Sequence, residues 1–496
     1  MNIFKKKSLC AALAGIGALG AAGAAQAVNL NPDGLGQVLI YPYYTVRADA
    51  NGHDFNSLLS VVNTTASVKA VKVRILEGRN SVEVLDFNLY LSPKDVWAAA
   101  ITPTADGAGG QITSPDKSCT LPLAVSQGQT IAFRNTAYTT DGAGSSLDRT
   151  KEGYVEIIEM ATYADSSTTA INATHVNGVP PGCNKITDAA AGAQALPPTG
   201  GLFGGMTLIN VDSGSDYTAD AVALDNFSDV SNYSNAGSLL PTLEAASPPV
   251  SVVINTDPVQ GGIVYRSDWT GLIATGAGNP ADPVSAVLMH DHIMNEYVLD
   301  AVTNSGTDWV VTMPTKRFYV RNGTGTPDRL FQRNFNKTDG ACDDVDLNIY
   351  DREENTTSTP LDFSPPPPSL TNALCWEANV ITFNNSHVLG SSNESNITTP
   401  ADFEHGWLDL GFFPSTVSAP IHTLPNDATD VILVNSFFGT PGVPATYVGL
   451  PVVGFAVQSF ANGVIQVGDQ TVLSNYGGNF IHKGTRLINA PFATAP

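Results

Sequence analysis

The sequence predicts an all-β protein of antiparallel sandwich-like or jelly-roll-like layers, with long loops and at most one or two short helices. Two observations carry this expectation. The 45 glycines and 32 prolines interrupt the 496-residue chain about once every six residues, which short strands tolerate and long helices do not. Runs of alternating apolar and polar residues also recur along the chain, the period of a strand with one covered face. With 43 % hydrophobic and 14 % charged residues, the chain has the means to build a core.

The chain opens with Lys5, Lys6 and Lys7, an Ala/Gly/Leu-rich stretch, and Ala25-Gln26-Ala27. A charged start, a short apolar run and a small-x-small site read as a secretory signal peptide over residues 1–27, cleaved after Ala27. Cys10 stands just after the basic run, separated from it by Ser8 and Leu9, which is misplaced for a lipid anchor, and it belongs to the leader. No later segment has the uncharged apolar length of a transmembrane helix. Removing three lysines changes 24 basic against 46 acidic residues to 21 against 46, a net charge of −25. Such a field repels phosphate backbones and argues against nucleic acid as a partner.

Four cysteines remain, an even count that suggests disulfides in an exported chain. Three pairings are possible. Neighbours in sequence most easily share a domain, which favours Cys119–Cys183 and Cys342–Cys375. Each would restrain the unfolded chain by roughly 4 kcal/mol.

The strands follow in order. Val38–Val46 comes first. Val71, Val73 and Ile75 alternate with Lys72 and Arg74; after a turn at Glu77-Gly78-Arg79-Asn80, Leu85, Phe87, Leu89 and Leu91 alternate with Asp86, Asn88 and Tyr90. This pair predicts a hairpin with one face in the core. Further strands are expected at Tyr154–Met160, Trp309–Met313, Phe318–Val320, Val431–Phe437 and Val452–Phe460, with turns at Asn322-Gly323 and Asn462-Gly463. Ser215–Ala236 and Val284–Asn304 lack Gly and Pro, and each is a candidate for a short helix. Pro365 to Pro368 form a brief polyproline segment. Glu244–Pro249 is the best linker, dividing residues 28–246 from 247–496 as two sandwich-like regions.

Three constellations bear on chemistry. His290-Asp291-His292 with Glu296 has the H-x-H-x3-E spacing of the first cupin metal motif. On a strand, His290, His292 and Glu296 would project from one face toward a transition metal. The glycines that flank that motif and a second motif with a third histidine are missing. An acidic run follows at Asp343, Asp344, Asp346, Asn348, Asp351, Glu353 and Glu354. Asp344, Asp346 and Asn348 resemble the start of a calcium loop, so calcium is the cofactor the sequence suggests. Ile349 stands where an EF-hand needs Gly, and Val345, Leu347 and Ile349 alternate, making the acids the open face of a strand. Asp212, Asp216 and Asp220 form a weaker acidic group. Third, Tyr41, Tyr43 and Tyr44 around Pro42 are an aromatic cluster with the chemistry to stack on glycans, although such residues are more often strand core or edge. No G-x-S-x-G, H-E-x-x-H or P-loop occurs.

Leu39-Ile40-Tyr41-Pro42-Tyr43-Tyr44-Thr45-Val46, the stretch from Asp308 to Arg317 and Gly477-Gly478-Asn479-Phe480-Ile481-His482-Lys483-Gly484 carry a resemblance. The chain is similar there to uncharacterised exported proteins of Gram-negative bacteria. The resemblance implies export and a β-rich fold, and brings no catalytic residues. The expected function is that of a cell-surface or extracellular structural or binding protein, surface-layer-like or adhesive, with the periplasm as the other location. Its expected partners are its own copies or cell-surface glycans. The alternative is a secreted or periplasmic enzyme, either a hydrolase with a dispersed site or a cupin-like metal protein.

Overall fold

The computed structural model describes residues 26–490 apart from 258–260, 321–329, 337, 339, 358–362, 365–371, 413–421 and 434–438. Residues 1–25 of the expected leader, the Asn322-Gly323 turn, the polyproline segment and the end of the Val431–Phe437 strand lie outside these residues. Strands dominate, and nearly all ladders are antiparallel; Ala378–Phe383 with Glu394–Ile397 is a parallel one.

Two sheets form a sandwich from the first half of the chain. One has seven strands, in the order Asn29–Leu30, Val222–Asp225, Val38–Thr45, Glu152–Tyr163, Val68–Glu77, Glu83–Leu91 and Cys119–Leu121. The other has six, in the order Ser215–Asp220, Leu202–Asn210, Asn56–Asn63, Val96–Pro103, Gly110–Thr113 and Ile131–Ala132. Between them lie Leu39, Val73, Phe87 and Leu89 from the first sheet and Val61, Trp97 and Leu208 from the second. Phe87 meets Trp97 edge to face, 5.9 Å between ring centres.

The expected hairpin forms, with Val71 opposite Leu89, Val73 opposite Phe87 and Ile75 opposite Leu85. Its second face departs from expectation. Lys72 and Arg74 are buried, as is Asn88, while Leu85 is half-buried. Arg74 is held by Glu83 and Glu156. Lys72 pairs with Asp86 at 3.2 Å and donates to the carbonyls of Asn235 and Ser238. The segment after Asp225 thus covers this face, and paired charges replace solvent.

The second half contributes three larger sheets. Five strands run in the order Val250–Asp257, Gly261–Asp268, Thr423–Leu433, Gly439–Val448 and Leu487–Asn489. Four run in the order Asp346–Asp351, His405–Gly411, His292–Val298 and Lys483–Thr485. Six run in the order Phe363–Ser364, Glu394–Ile397, Ala378–Phe383, Ser305–Thr312, Val453–Val467 and Gln470–Ile481. The four-stranded sheet packs on the last of these through Ile293, Tyr297, Ile349, Leu408, Trp309 and Phe383. Tyr297 stacks on Phe383 at 5.5 Å.

Among the described residues every multi-residue ladder joins strands on the same side of residues 246/247, while the isolated parallel bridges Val28 with Ser251 and Ser228 with Ser247 cross it. The cores do not respect that line. Val310, Val380, Phe455 and Val457 join the sandwich core, and Val38, Ile40, Tyr154 and Ile158 join the core of the second half. Glu244–Pro249 is packed rather than free: Leu243–Ala245 is a 3-10 turn with Leu243 buried, and Ser247 bridges Ser228.

Several local expectations are corrected. Ser215–Ala236 opens with two strands, Ser215–Asp220 and Val222–Asp225, instead of a helix. Val284–Asn304 lies partly in a helix, Asp282–Leu288, and then in strands. Four short α-helices are present among the described residues, more than the one or two expected: Thr168–Ala173, Asp188–Ala193, Thr270–Thr275 and Asp282–Leu288. Phe318–Val320 follows and partly forms a 3-10 turn, Lys316–Phe318, rather than a strand. Asn462-Gly463 is a bulge inside Val453–Val467, where the register shifts between Ala461 and Val464. Both disulfides form as expected, Cys119–Cys183 and Cys342–Cys375. Such bonds belong to an oxidising, extracytoplasmic environment. Among the described residues no helix is long and apolar enough to cross a membrane.

Candidate functional site

The four-stranded sheet positions a grid of side chains. Strand side chains alternate between faces, and directly opposed residues share a face. Ile293, Leu347, Ile349, Leu408 and Leu410 point into the core and fix the sheet. Their neighbours form three rows on the other face. The first is Tyr350, Trp407 and Glu296; the second is Asn348, Asp409, Met294 and Lys483; the third is Asp346, Gly411, His292 and Thr485. Strands ~4.8 Å apart and rows ~7 Å apart make a patch about 14 Å on a side.

The patch is open to solvent. Trp407 is 39 % exposed. Glu296, Asn348, Lys483 and Thr485 are exposed, and Tyr350, Asp346, Asp409, His292 and Met294 are half-buried. Tyr350 and Trp407 stack at 4.5 Å with 15° between planes. Being mutually braced, the two rings lose little further freedom on meeting a ligand. Beside them stand acceptors in Asp409, Asp346 and Glu296 and an amide in Asn348.

His292 organises the polar end. Its Nδ1–H donates to Asp409 Oδ1 at 2.8 Å. That hydrogen bond, outweighing burial and aided by the charges of Asp409, Asp291 and Asp346, raises the imidazole above its ordinary pKa. Gly411 sits between His292 and Asp346, where a Cβ would lie 3.0 Å from His292 Cε1.

The residues singled out in the sequence are thus redistributed. His290 sits in a separate two-stranded ladder with Leu450–Pro451 and donates to the Leu288 carbonyl at 3.0 Å. Burial, with Arg486 nearby, lowers its pKa to about 3, so it is neutral. His292 and Glu296 lie on the open face, in different rows. Asp344 pairs with Ala373 in another small sheet, while Asp346 and Asn348 join His292 across the strand that carries Asp409. Among the described residues no group of three or more His, Cys, Asp or Glu is arranged to hold a metal ion, so His290, His292 and Glu296 are not brought together as a ligand set. Asp212, Asp216 and Asp220 are exposed along one hairpin. Tyr41, Tyr43 and Tyr44 are all buried, Tyr41 donating to Ser60, Tyr43 to Glu152 and Tyr44 to Thr150, so they offer no stacking surface.

The residues that sequence reasoning missed are Trp407, Tyr350, Asp409 and Lys483. A signal for the first and third was present: in His405–Gly411, Leu408 and Leu410 alternate with Trp407 and Asp409, placing an aromatic on the uncovered side of a half-buried strand.

Fold and face together define an all-β, disulfide-bonded protein with an open aromatic-polar sheet surface. Comparison with models of protein families, with curated proteins and with solved structures gives no match.

Proposed function

We propose that this chain is an exported cell-surface or extracellular binding protein that attaches to glycans through the open face of its four-stranded sheet. The observation that carries the reading is the stacked Tyr350/Trp407 pair standing beside Asp409, Asn348 and Asp346 on a rigid, exposed sheet. Aromatic rings pack on the C–H faces of pyranose rings. Carboxylates and amides accept or donate to the hydroxyls around those rings. A patch about 14 Å across matches a short run of sugar units. The net charge of −22 for the full chain repels acidic polysaccharides, so the expected ligand is a neutral or N-acetylated amino-sugar glycan.

An array of neutral and N-acetylated oligosaccharides, probed with the purified protein and with Trp407→Ala, tests this. The reading expects binding that weakens at least tenfold in the variant, about 1.4 kcal/mol. Absence of binding across the array, or equal binding by the variant, would refute it.

A further inference from the structure

The hairpin Val453–Val467/Gln470–Ile481 forms the outer edge of the six-stranded sheet. Its root is anchored. Val453–Phe460 pairs with Ser305–Thr312, and Asn475 and Asn479 donate to the carbonyls of Ser213 and Thr218 at 2.8 Å. At Ala461 the backbone N–H still donates to the Asn304 carbonyl at 3.3 Å; beyond it the first strand has left that neighbour, and the hairpin continues alone from Asn462 to Val467 opposite Gln470. At ~3.4 Å per residue this free arm is about 17 Å long.

Among the described residues, neither outer edge of the arm pairs with another strand. Val464 is 58 % exposed, Val467 57 % and Val472 41 %. Exposed edges are ordinarily blunted with charge, proline or bulges. Here the Asn462-Gly463 bulge sits at the root, and the free strands contain no proline. From Val453 to Ile481 the single charged residue is Asp469, at the turn.

The charge distribution selects the partner. Two copies carrying −22 repel one another over most of their surfaces, and a neutral arm is where they can approach. Identical edge strands are self-complementary when antiparallel about a two-fold axis, which satisfies the free N–H and C=O groups of both. We infer that the arm pairs edge to edge with the arm of a second copy, forming one continuous four-stranded ribbon. This association is independent of the glycan face, which lies on another sheet.

Sedimentation velocity of the purified protein, across concentration and salt, tests the inference. Dimer should accumulate with concentration and should strengthen as salt screens the repulsion between bodies. Val464→Lys with Val472→Lys should give monomer at every concentration, with an unchanged melting temperature. Hydrogen exchange on the unaltered protein is a second readout, in which amides 462–474 gain protection as dimer forms. An unaltered protein that stays monomeric would overturn the inference, as would a double variant that dimerises equally or a dimer without protection of the arm. Binding of the monomeric arm to lipid vesicles or to an extended peptide would likewise overturn it in favour of that partner.

Discussion

Glu377 is buried where the two halves meet, and its carboxylate accepts from Ser81 Oγ at 3.0 Å and from the Arg317 backbone N–H at 3.2 Å. Burial outweighs the pull of Lys316 and Arg317 and pushes its pKa from 4.5 up to about 8. Between those values the folded chain holds a proton that the unfolded chain releases, so this group's contribution to stability falls as pH rises through the window. Glu377→Gln keeps an acceptor and removes the charge. It should raise the melting temperature at about pH 9, by a few kcal/mol of stability, and change little at about pH 4. Thermal scans of both proteins at the two pH values measure it, and an equal shift at both would contradict the assignment. The same scale explains which aromatics were legible. Val38–Thr45 is a near-continuous apolar run, the mark of a strand covered on both sides, and Tyr41, Tyr43 and Tyr44 are accordingly buried. Trp407 sits in an alternating strand, the pattern that leaves one face to water.

Alternation also explains what was legible among the elements. The hairpin register and the burial of Val345, Leu347 and Ile349 follow from period-two patterning. In Ser215–Ala236 the lack of Gly and Pro does not make a helix: Ser215, Tyr217 and Ala219 are buried while Asp216, Thr218 and Asp220 are exposed, which is the period of a strand. What no local pattern reveals is the layer above a sheet. Lys72 and Arg74 read as an open face, yet a loop distant in sequence covers them. In the four-stranded sheet, Gly406 is the element-level constraint. A Cβ there would overlap the Tyr350 carbonyl oxygen and lie 2.6 Å from Tyr297 Oη. Gly406→Ala should therefore force the central strand away from the edge strand, costing about 1–3 kcal/mol. Denaturant unfolding measures the loss, and the glycan binding proposed for this sheet should weaken with it. An unchanged midpoint would show that the strands have room.

At the scale of the whole molecule, the sheets divide near residue 246 but the interior does not. Glu152 is buried in the first half. It accepts from Arg47 Nε at 2.6 Å and Tyr43 Oη at 2.7 Å, and also from Ser391 and Ser392 of the second half. Against the opposing effect of burial, Arg47 and these hydroxyls hold its carboxyl below the ordinary range. With apolar clusters and this polar knot both crossing the boundary, the halves should unfold together in one calorimetric transition, with matching calorimetric and van't Hoff enthalpies. Two resolved transitions would mean that the shared core contributes little to stability. Composition around Glu244–Pro249 suggested a linker but carried no sign of the shared interior, which depends on long-range packing.

We propose that this protein meets a glycan on the face built by Asp346–Asp351, His405–Gly411 and His292–Val298. Hydrogen exchange with and without an oligosaccharide that binds tests it most directly, because it locates the ligand without altering the chain. Added protection is expected at residues 292–298, 346–351 and 405–411 and nowhere else. Protection elsewhere, with those three strands unchanged, would contradict it.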